Sequence, residues 1–222
     1  MIIEGIAGRF AQRMAGIMGI SLTGNGSIRV AQVEGPDDEG TRAGLRYYLS
    51  AGGATGIAPV QALPSTAAQW MIWNPNGNTV TAFIDVLGVM LNSGTAGAGG
   101  TFYVCPVPPK FAPATVPSVS TANCLINALI VNANPVSTRT SSLICVSGQT
   151  LLNAVASNWL LTGFMNPAGT ILGQTQMENR DVRGKLAIPP GCGLAFAVVS
   201  PTGTTPLFSP YASWREYASD ME

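Results

Sequence analysis

The chain has no histidine and very few charges. Without imidazole there is no His-dependent catalytic triad, no His-containing zinc site and no imidazole base. Charged residues make up 10% of 222 residues, and the formal net charge is zero. A typical soluble domain carries about 25%. A nucleic-acid binder shows a basic excess or stripe, and none is present. The four cysteines, Cys105, Cys124, Cys145 and Cys192, include no Cys-x-x-Cys pair, so they do not read as a metal or redox motif. Leu143-Ile144-Cys145-Val146 places one in an apolar strand, where a thiol acts as a small hydrophobe. Two disulfides fit the count, but buried thiols are the expectation. No apolar run is long enough to span a membrane. The N-terminus shows no basic segment followed by an unbroken apolar core, so no secretory signal is expected and the sequon Asn25-Gly26-Ser27 carries no meaning.

The charges that exist are unevenly placed. Residues 1–46 hold ten of them, while residues 47–177 hold only Asp85, Lys110 and Arg139. A free monomer would have to solvate that long stretch with Ser, Thr, Asn and Gln. The sharper expectation is a surface covered by other subunits, since obligate interfaces deplete charge.

What is present reads as β-structure. Trp70-Met71-Ile72-Trp73 leads into Asn74-Pro75-Asn76-Gly77 and then the apolar stretch Val80–Leu91. Pro at the second and Gly at the fourth turn position suit a type I turn. The pattern returns at Asn166-Pro167-Ala168-Gly169 and Ser200-Pro201-Thr202-Gly203, which predicts antiparallel hairpins. Strict alternation along Val80–Leu91 puts Val80, Ala82, Ile84, Val86, Gly88 and Met90 on one face. Thr81, Phe83, Asp85, Leu87, Val89 and Leu91 fall on the other. Both faces are mostly apolar, so the strand is either sandwiched or half-covered by another chain. Late in the chain, Leu194, Phe196 and Val198 alternate with Ala195, Ala197 and Val199. The large set suits a core, and the small set permits close approach of a second surface. Pro189-Pro190 marks the bend before that strand.

Further strands are expected at 45–50, 68–74, 101–107, 124–132, 142–146, 159–165, 182–188 and 207–214. A short helix is expected at Leu151–Asn158. The Gly-rich stretch Ser93–Gly100 reads as a hairpin tip, and the five prolines within 106–123 as a stiff connection. Glu178, Arg180, Asp181, Arg183 and Lys185 form a mixed charge cluster that suits a guarded edge or a salt-bridged contact. Many short strands with such loops predict an all-β antiparallel sandwich over residues 43–222. Residues 1–42 read as an extended or partly helical N-terminal arm. Ile3, Ile6, Phe10, Met14 and Ile17 share a helical face, but four glycines weaken it. The acidic run Asp37-Asp38-Glu39 lacks the alternating ligands of a calcium loop.

Trp73-Asn74-Pro75 with its long apolar strand, the Gly-rich Ser93–Gly100 and Ile188-Pro189-Pro190-Gly191 resemble virion proteins of tailed bacteriophages. The nearest group is the capsid cement or decoration proteins with a jelly-roll domain, and the resemblance covers roughly residues 43–216. It implies a jelly-roll-like sandwich and a homotrimer on the outer capsid surface, made in the host cytoplasm. It also implies an arm that grips the major capsid protein. Candidate capsid contacts are then Arg9, Phe10, Arg13, Arg29, Glu34, Asp37, Asp38 and Glu39. Candidate contacts between copies are Trp73, Phe83, Leu87, Ala195, Ala197 and Val199. No catalytic residue, cofactor, metal, nucleic acid, membrane or small-molecule substrate is implied. Two other classes remain open. A tail or fibre component would use Trp70, Trp73, Trp159 or Trp214 to stack on sugars. A carboxylate-based glycosidase would draw on Asp85, Glu178 and Asp181.

Overall fold

A computed structural model describes residues 20–22, 28–30, 40–50, 56–93, 100–117, 130–165, 177–200 and 206–218. The chain divides into two units, Met1–Ala43 and Gly44–Glu222. Within the first, β1 (Ile20–Leu22) and β2 (Ile28–Val30) pair antiparallel, and residues 40–42 form a helical turn. The expected helical face at Ile3–Ile17 lies outside the described residues.

The second unit is a β-sandwich. Its strands are β3 (Arg46–Ser50), β4 (Ala67–Trp73), β5 (Val80–Ser93), β6 (Gly100–Val107), β7 (Ile130–Asn132), β8 (Ile144–Thr150), β9 (Leu160–Met165), β10 (Met177–Ile188), β11 (Gly193–Val199) and β12 (Leu207–Ala218). One sheet runs β10-β5-β12-β3-β7 and the other β8-β4-β11-β6-β9. With β7 and β8 set aside, eight strands remain, and they pair in nested order: β3 with β12, β4 with β11, β5 with β10 and β6 with β9. A long antiparallel ribbon rolled over so that each pair falls in the sheet opposite the next gives this order, which is the jelly roll. The strands β7 and β8 are an insertion between its fourth and fifth strands, and they extend one sheet each.

This topology corrects the expected hairpins. The strands flanking each of the three turn motifs, β4 and β5, β9 and β10, β11 and β12, lie in opposite sheets. The described turn, after Trp73, is an arch between layers, and the motif residues 166–169 and 201–203 fall outside the described residues. In the remaining one Asn78 N–H donates to Pro75 O at 3.0 Å, so the turn begins at Pro75, one residue later than expected. Asn74 does something else. It is fully buried, and its amide nitrogen donates to Val80 O at 2.8 Å and Ile188 O at 2.9 Å. Its side-chain oxygen accepts from Asn78 Nδ2 at 2.7 Å. Its main chain bonds Cys192 O and Gly191 N–H. One side chain therefore ties the β4–β5 arch to the β10–β11 arch, with every polar atom paired as burial demands.

The main core lies between the sheets. It contains Tyr47, Leu49, Trp70, Ile72, Ala82, Ile84, Leu87, Val89, Phe102, Val104, Leu194, Phe196, Val198, Phe208 and Trp214. Strict alternation fails along β5. Ile84 pairs with Trp214 and Val86 with Ser213, so Asp85 is an extra residue with no partner position on β12. This bulge reverses the parity, and the inward set becomes Ala82 and Ile84, then Leu87 and Val89. The outward set becomes Thr81, Phe83, Val86, Gly88 and Met90, which is still mostly apolar, with Phe83, Val86 and Met90 partly buried.

A second core lies on the far face of the other sheet. Met71, Trp73, Cys105, Val107, Ile144, Val146, Ala195 and Ala197 are covered there by Leu151, Ala154 and Trp159, with Phe111 and Ala112 alongside. The expected helix at Leu151–Asn158 is only a 3-10 turn, Ala156–Asn158. Asn153 sits at φ 54°, a left-handed conformation that interrupts a helix and that Asn tolerates well. Residues 109–111 form another 3-10 turn. Gly193 marks the close packing here, because a Cβ would stand 2.7 Å from Ile72 O and 2.8 Å from the Trp73 ring.

Asn74→Ala is expected to lower unfolding free energy by about 2–4 kcal/mol, since it strands two buried carbonyls and the Asn78 amide. Urea unfolding followed by tryptophan fluorescence checks this.

Candidate functional site

Asp85, Arg46, Arg215 and Glu216 are engaged inside the fold, whereas Arg42, Lys110, Arg139, Asp181, Arg183 and Lys185 are exposed. Asp85, at the bulge, accepts two bonds from Arg215, from Nη2 at 2.7 Å and Nε at 3.0 Å. Arg46 Nη2 stands 3.5 Å from the same carboxylate. The three side chains are 5%, 13% and 16% exposed, so this ion cluster is nearly dry. It crosses three adjacent strands, β5, β12 and β3, on the face away from the core. Beside it, Phe83 and Tyr217 meet with ring centroids 6.0 Å apart. With Thr81, Arg183 and Gly184 they frame a hollow of about 410 Å³. Arg183 and Gly184 both have positive φ, where β10 bulges between Asp181 and Leu186. Glu216 is also buried, and accepts from Ser141 Oγ at 2.6 Å, Ser142 N–H at 3.0 Å and Trp214 Nε1 at 2.9 Å.

Those bonds from Glu216 seat the insertion against the body. Tyr47 donates to Thr140 O, Asn78 Nδ2 to Ser142 O, and Asn132 Nδ2 to Gly44 O. The insertion walls a groove of about 1080 Å³ whose polar lining is Asn, Ser, Thr and Tyr with one cation, Arg139. At its tip Val136 is 86% exposed, and Asn134 Oδ1 fixes it by accepting its N–H.

The segment over the second core has an outer side too. Leu152, Val155, Leu160 and Leu161 are 43%, 53%, 50% and 44% exposed. The segment is pinned by Leu152 N–H to Phe111 O, Leu151 N–H to Thr66 O and Trp159 Nε1 to Ser65 O. Asn158 Oδ1 accepts from Val155 N–H and closes the short turn.

Four of the six residues expected between copies are inside the chain. Trp73, Leu87, Ala195 and Ala197 are at most 1% exposed. The small face of Ala195 and Ala197 does admit a close second surface, but that surface is the chain's own 151–159 segment. Phe83 and Val199 are half-buried. Of the arm residues, Arg29 lies on β2, and Arg9, Phe10, Arg13, Glu34, Asp37, Asp38 and Glu39 lie outside the described residues. Trp70, Trp73, Trp159 and Trp214 are core residues with no face for a sugar. Of the glycosidase candidates, Asp85 is engaged by two guanidiniums, Asp181 pairs with Arg183 at an exposed site, and the Glu178 side chain is outside the described set. The exposed apolar residues of 152–161 were missed because they were assigned to a short helix at Leu151–Asn158 and a strand at 159–165. The absence of any charge from Thr140 to Met177 was the available signal.

Cys105, Cys145 and Cys192 carry thiols rather than disulfides, and the first two are buried. Cys124 lies outside the described residues. Among the described residues, no three potential ligands gather as a metal site, and no helix is long and apolar enough to cross a membrane. The chain matches no family model, no curated protein and no solved structure.

Two outcomes follow. Asp85→Asn leaves two near-buried guanidiniums without their counter-charge and is expected to cost about 3–5 kcal/mol in a urea titration. The second concerns alkali. Burial pushes the Cys105 thiol up to about 11. Burial, and then the nearby Glu216 charge, raise Tyr47 as well. Below pH 9 the Cys105 thiol is protonated in both folded and unfolded chains. Above it the unfolded thiol ionises first, so stability is lost as pH climbs from about 9 towards 11. Melting temperatures across that range should fall, and Cys105→Ala should flatten the decline.

Proposed function

We propose that this chain is a virion structural protein of a tailed bacteriophage, a homotrimeric decoration protein. On this reading it seats on the outer capsid surface and stabilises contacts between major capsid subunits. The observation that carries the reading is the charge inventory of the folded body. Of the three charged residues in 47–177, Asp85 is buried in its ion cluster. Lys110 and Arg139 alone are exposed. The other exposed charges of the body, Asp181, Arg183 and Lys185, are gathered on β10, so the surface built by 47–177 offers little repulsion between copies and little desolvation penalty on contact. The half-exposed Leu152, Val155, Leu160 and Leu161 point the same way.

The jelly roll supplies a rigid block, and the fold by itself names no function. The proposed work is mechanical. Repeated on every capsid facet, a modest contact gains avidity, because a clamped capsid subunit is released only when several contacts open together. The charged N-terminal arm extends that grip to neighbouring capsid subunits. No catalytic step belongs to this reading, which agrees with the engagement of Asp85 and Glu216 in structural bonds.

The test is location. Gold-labelled antibody on native particles is expected to decorate the capsid shell. Purified protein is expected to bind expanded empty capsids and not unexpanded proheads. Label confined to the tail would replace this reading with a fibre component, and failure to bind either capsid form would remove it.

A further inference from the structure

We propose that the hollow on the outer face of the first sheet binds a small anion that carries an aromatic ring. The site needs neither a second copy nor the capsid, so it stands apart from the structural role above.

The strand register builds its floor. Arg215 lies opposite Phe83 and Tyr217 opposite Thr81, so the four side chains share one face of β5 and β12. That face is turned from the main core, because Ala82, Ile84 and Trp214 take the inward side. Phe83 and Tyr217 meet diagonally across the two strands, with ring centroids 6.0 Å apart and planes tilted by 59°.

The wall is a departure from regular β-structure. Asp181 of β10 pairs with Val86 and Leu186 with Ile84, so residues 182–185 face the single residue Asp85. Arg183 at φ 50° and Gly184 at φ 72° carry the chain through this bulge. A left-handed conformation suits glycine and is strained for an arginine, and the strained residue lines the hollow. Gly184 also keeps the space open. A Cβ there would stand 3.5 Å from Arg215 Nη2 and 3.8 Å from Phe83 Cβ, inside the hollow. Its volume of about 410 Å³ falls in the range of small-ligand pockets, about 300–1,000 Å³.

Charge and ring faces identify the occupant. Arg215 and Arg46 share Asp85, and Arg183 pairs with Asp181 at 2.6 Å. Three guanidiniums against two carboxylates leave one positive charge over, and the exposed Lys185 on the same bulge adds to it. The Asp181–Arg183 pair is open to water, with side chains 52% and 82% exposed, so an incoming anion shares it at little cost. A planar, permanently charged guanidinium suits an anionic group. The Phe83 and Tyr217 rings offer apolar surface to a flat ring. A bare inorganic anion would leave those rings uncovered, and a neutral ring would leave the charge unanswered. The larger groove beside residues 130–144 lacks this pairing, because its aromatic residue, Tyr47, is only 3% exposed.

The test is isothermal titration calorimetry of the full-length protein with phenyl phosphate, inorganic phosphate and phenol. The variants are Arg183→Gly, which removes the guanidinium and suits the positive φ, Phe83→Leu, which removes the ring and keeps apolar bulk, and Arg139→Gln as a control cation elsewhere. Circular dichroism checks folding. Phenyl phosphate is expected to bind the wild type at least about 10-fold more tightly than inorganic phosphate or phenol. Arg183→Gly and Phe83→Leu are each expected to weaken it at least about 10-fold, and Arg139→Gln to leave it unchanged. Equal binding of inorganic phosphate would reduce the site to a plain anion site, and equal binding of phenol to a plain apolar one; either overturns the proposal. So does absence of phenyl phosphate binding, or wild-type affinity in Arg183→Gly or Phe83→Leu. An equal loss in Arg139→Gln would show general attraction rather than a site. If a variant changes its circular dichroism, the three-ligand comparison on the wild type still decides.

Discussion

The contact of Asp85 with Arg215 and Arg46 holds the first sheet in register. Asp85 is the extra residue where β5 reverses which of its sides faces the core, and the two arginines lie on the next two strands. Without the bulge, Leu87 and Val89 would point away from the core, since a shift of one residue reverses every side chain. A near-buried ion cluster gives little net stability relative to a well-packed apolar one. Its value here is positional: a carboxylate gripped by both arms of Arg215 tolerates little sliding between β5 and β12. The main core between the sheets depends on that register.

Much of the architecture was legible in the sequence. Each expected strand that falls on described residues has its counterpart, most within two residues at each end. The large-small alternation of β11 correctly gave the direction of its core face. The connections were not legible. Turn-forming residues fix a change of direction, and they say nothing about whether the next strand joins the same sheet or the facing one. Asn74 makes the point, because its value lies in reaching Ile188 and Cys192, more than a hundred residues away. The parity break on β5 was hidden for a related reason. A lone aspartate inside an apolar strand did signal an irregularity, but its two arginine partners come from distant segments.

The expected contact between copies was misassigned, and the reason is geometric. The small apolar face of β11 was correctly seen as wanting a close neighbour. Sequence order gave no reason to prefer the chain's own 151–159 segment over a second copy. Once that segment occupies the face, the sandwich becomes three layers, and the β4 and β11 strands are buried on both sides. The folded body therefore completes its cores alone.

The layer that covers the second core has a buried and an exposed side carried by adjacent residues. Leu151, Ala154 and Trp159 face inward and close the second core, while the neighbouring Leu152 and Val155 are exposed. An inward anchor beside each outward side chain fixes the latter's position to the precision of the core. It also means that loss of an anchor disturbs both packing and surface, whereas a change at an outward neighbour leaves the core whole.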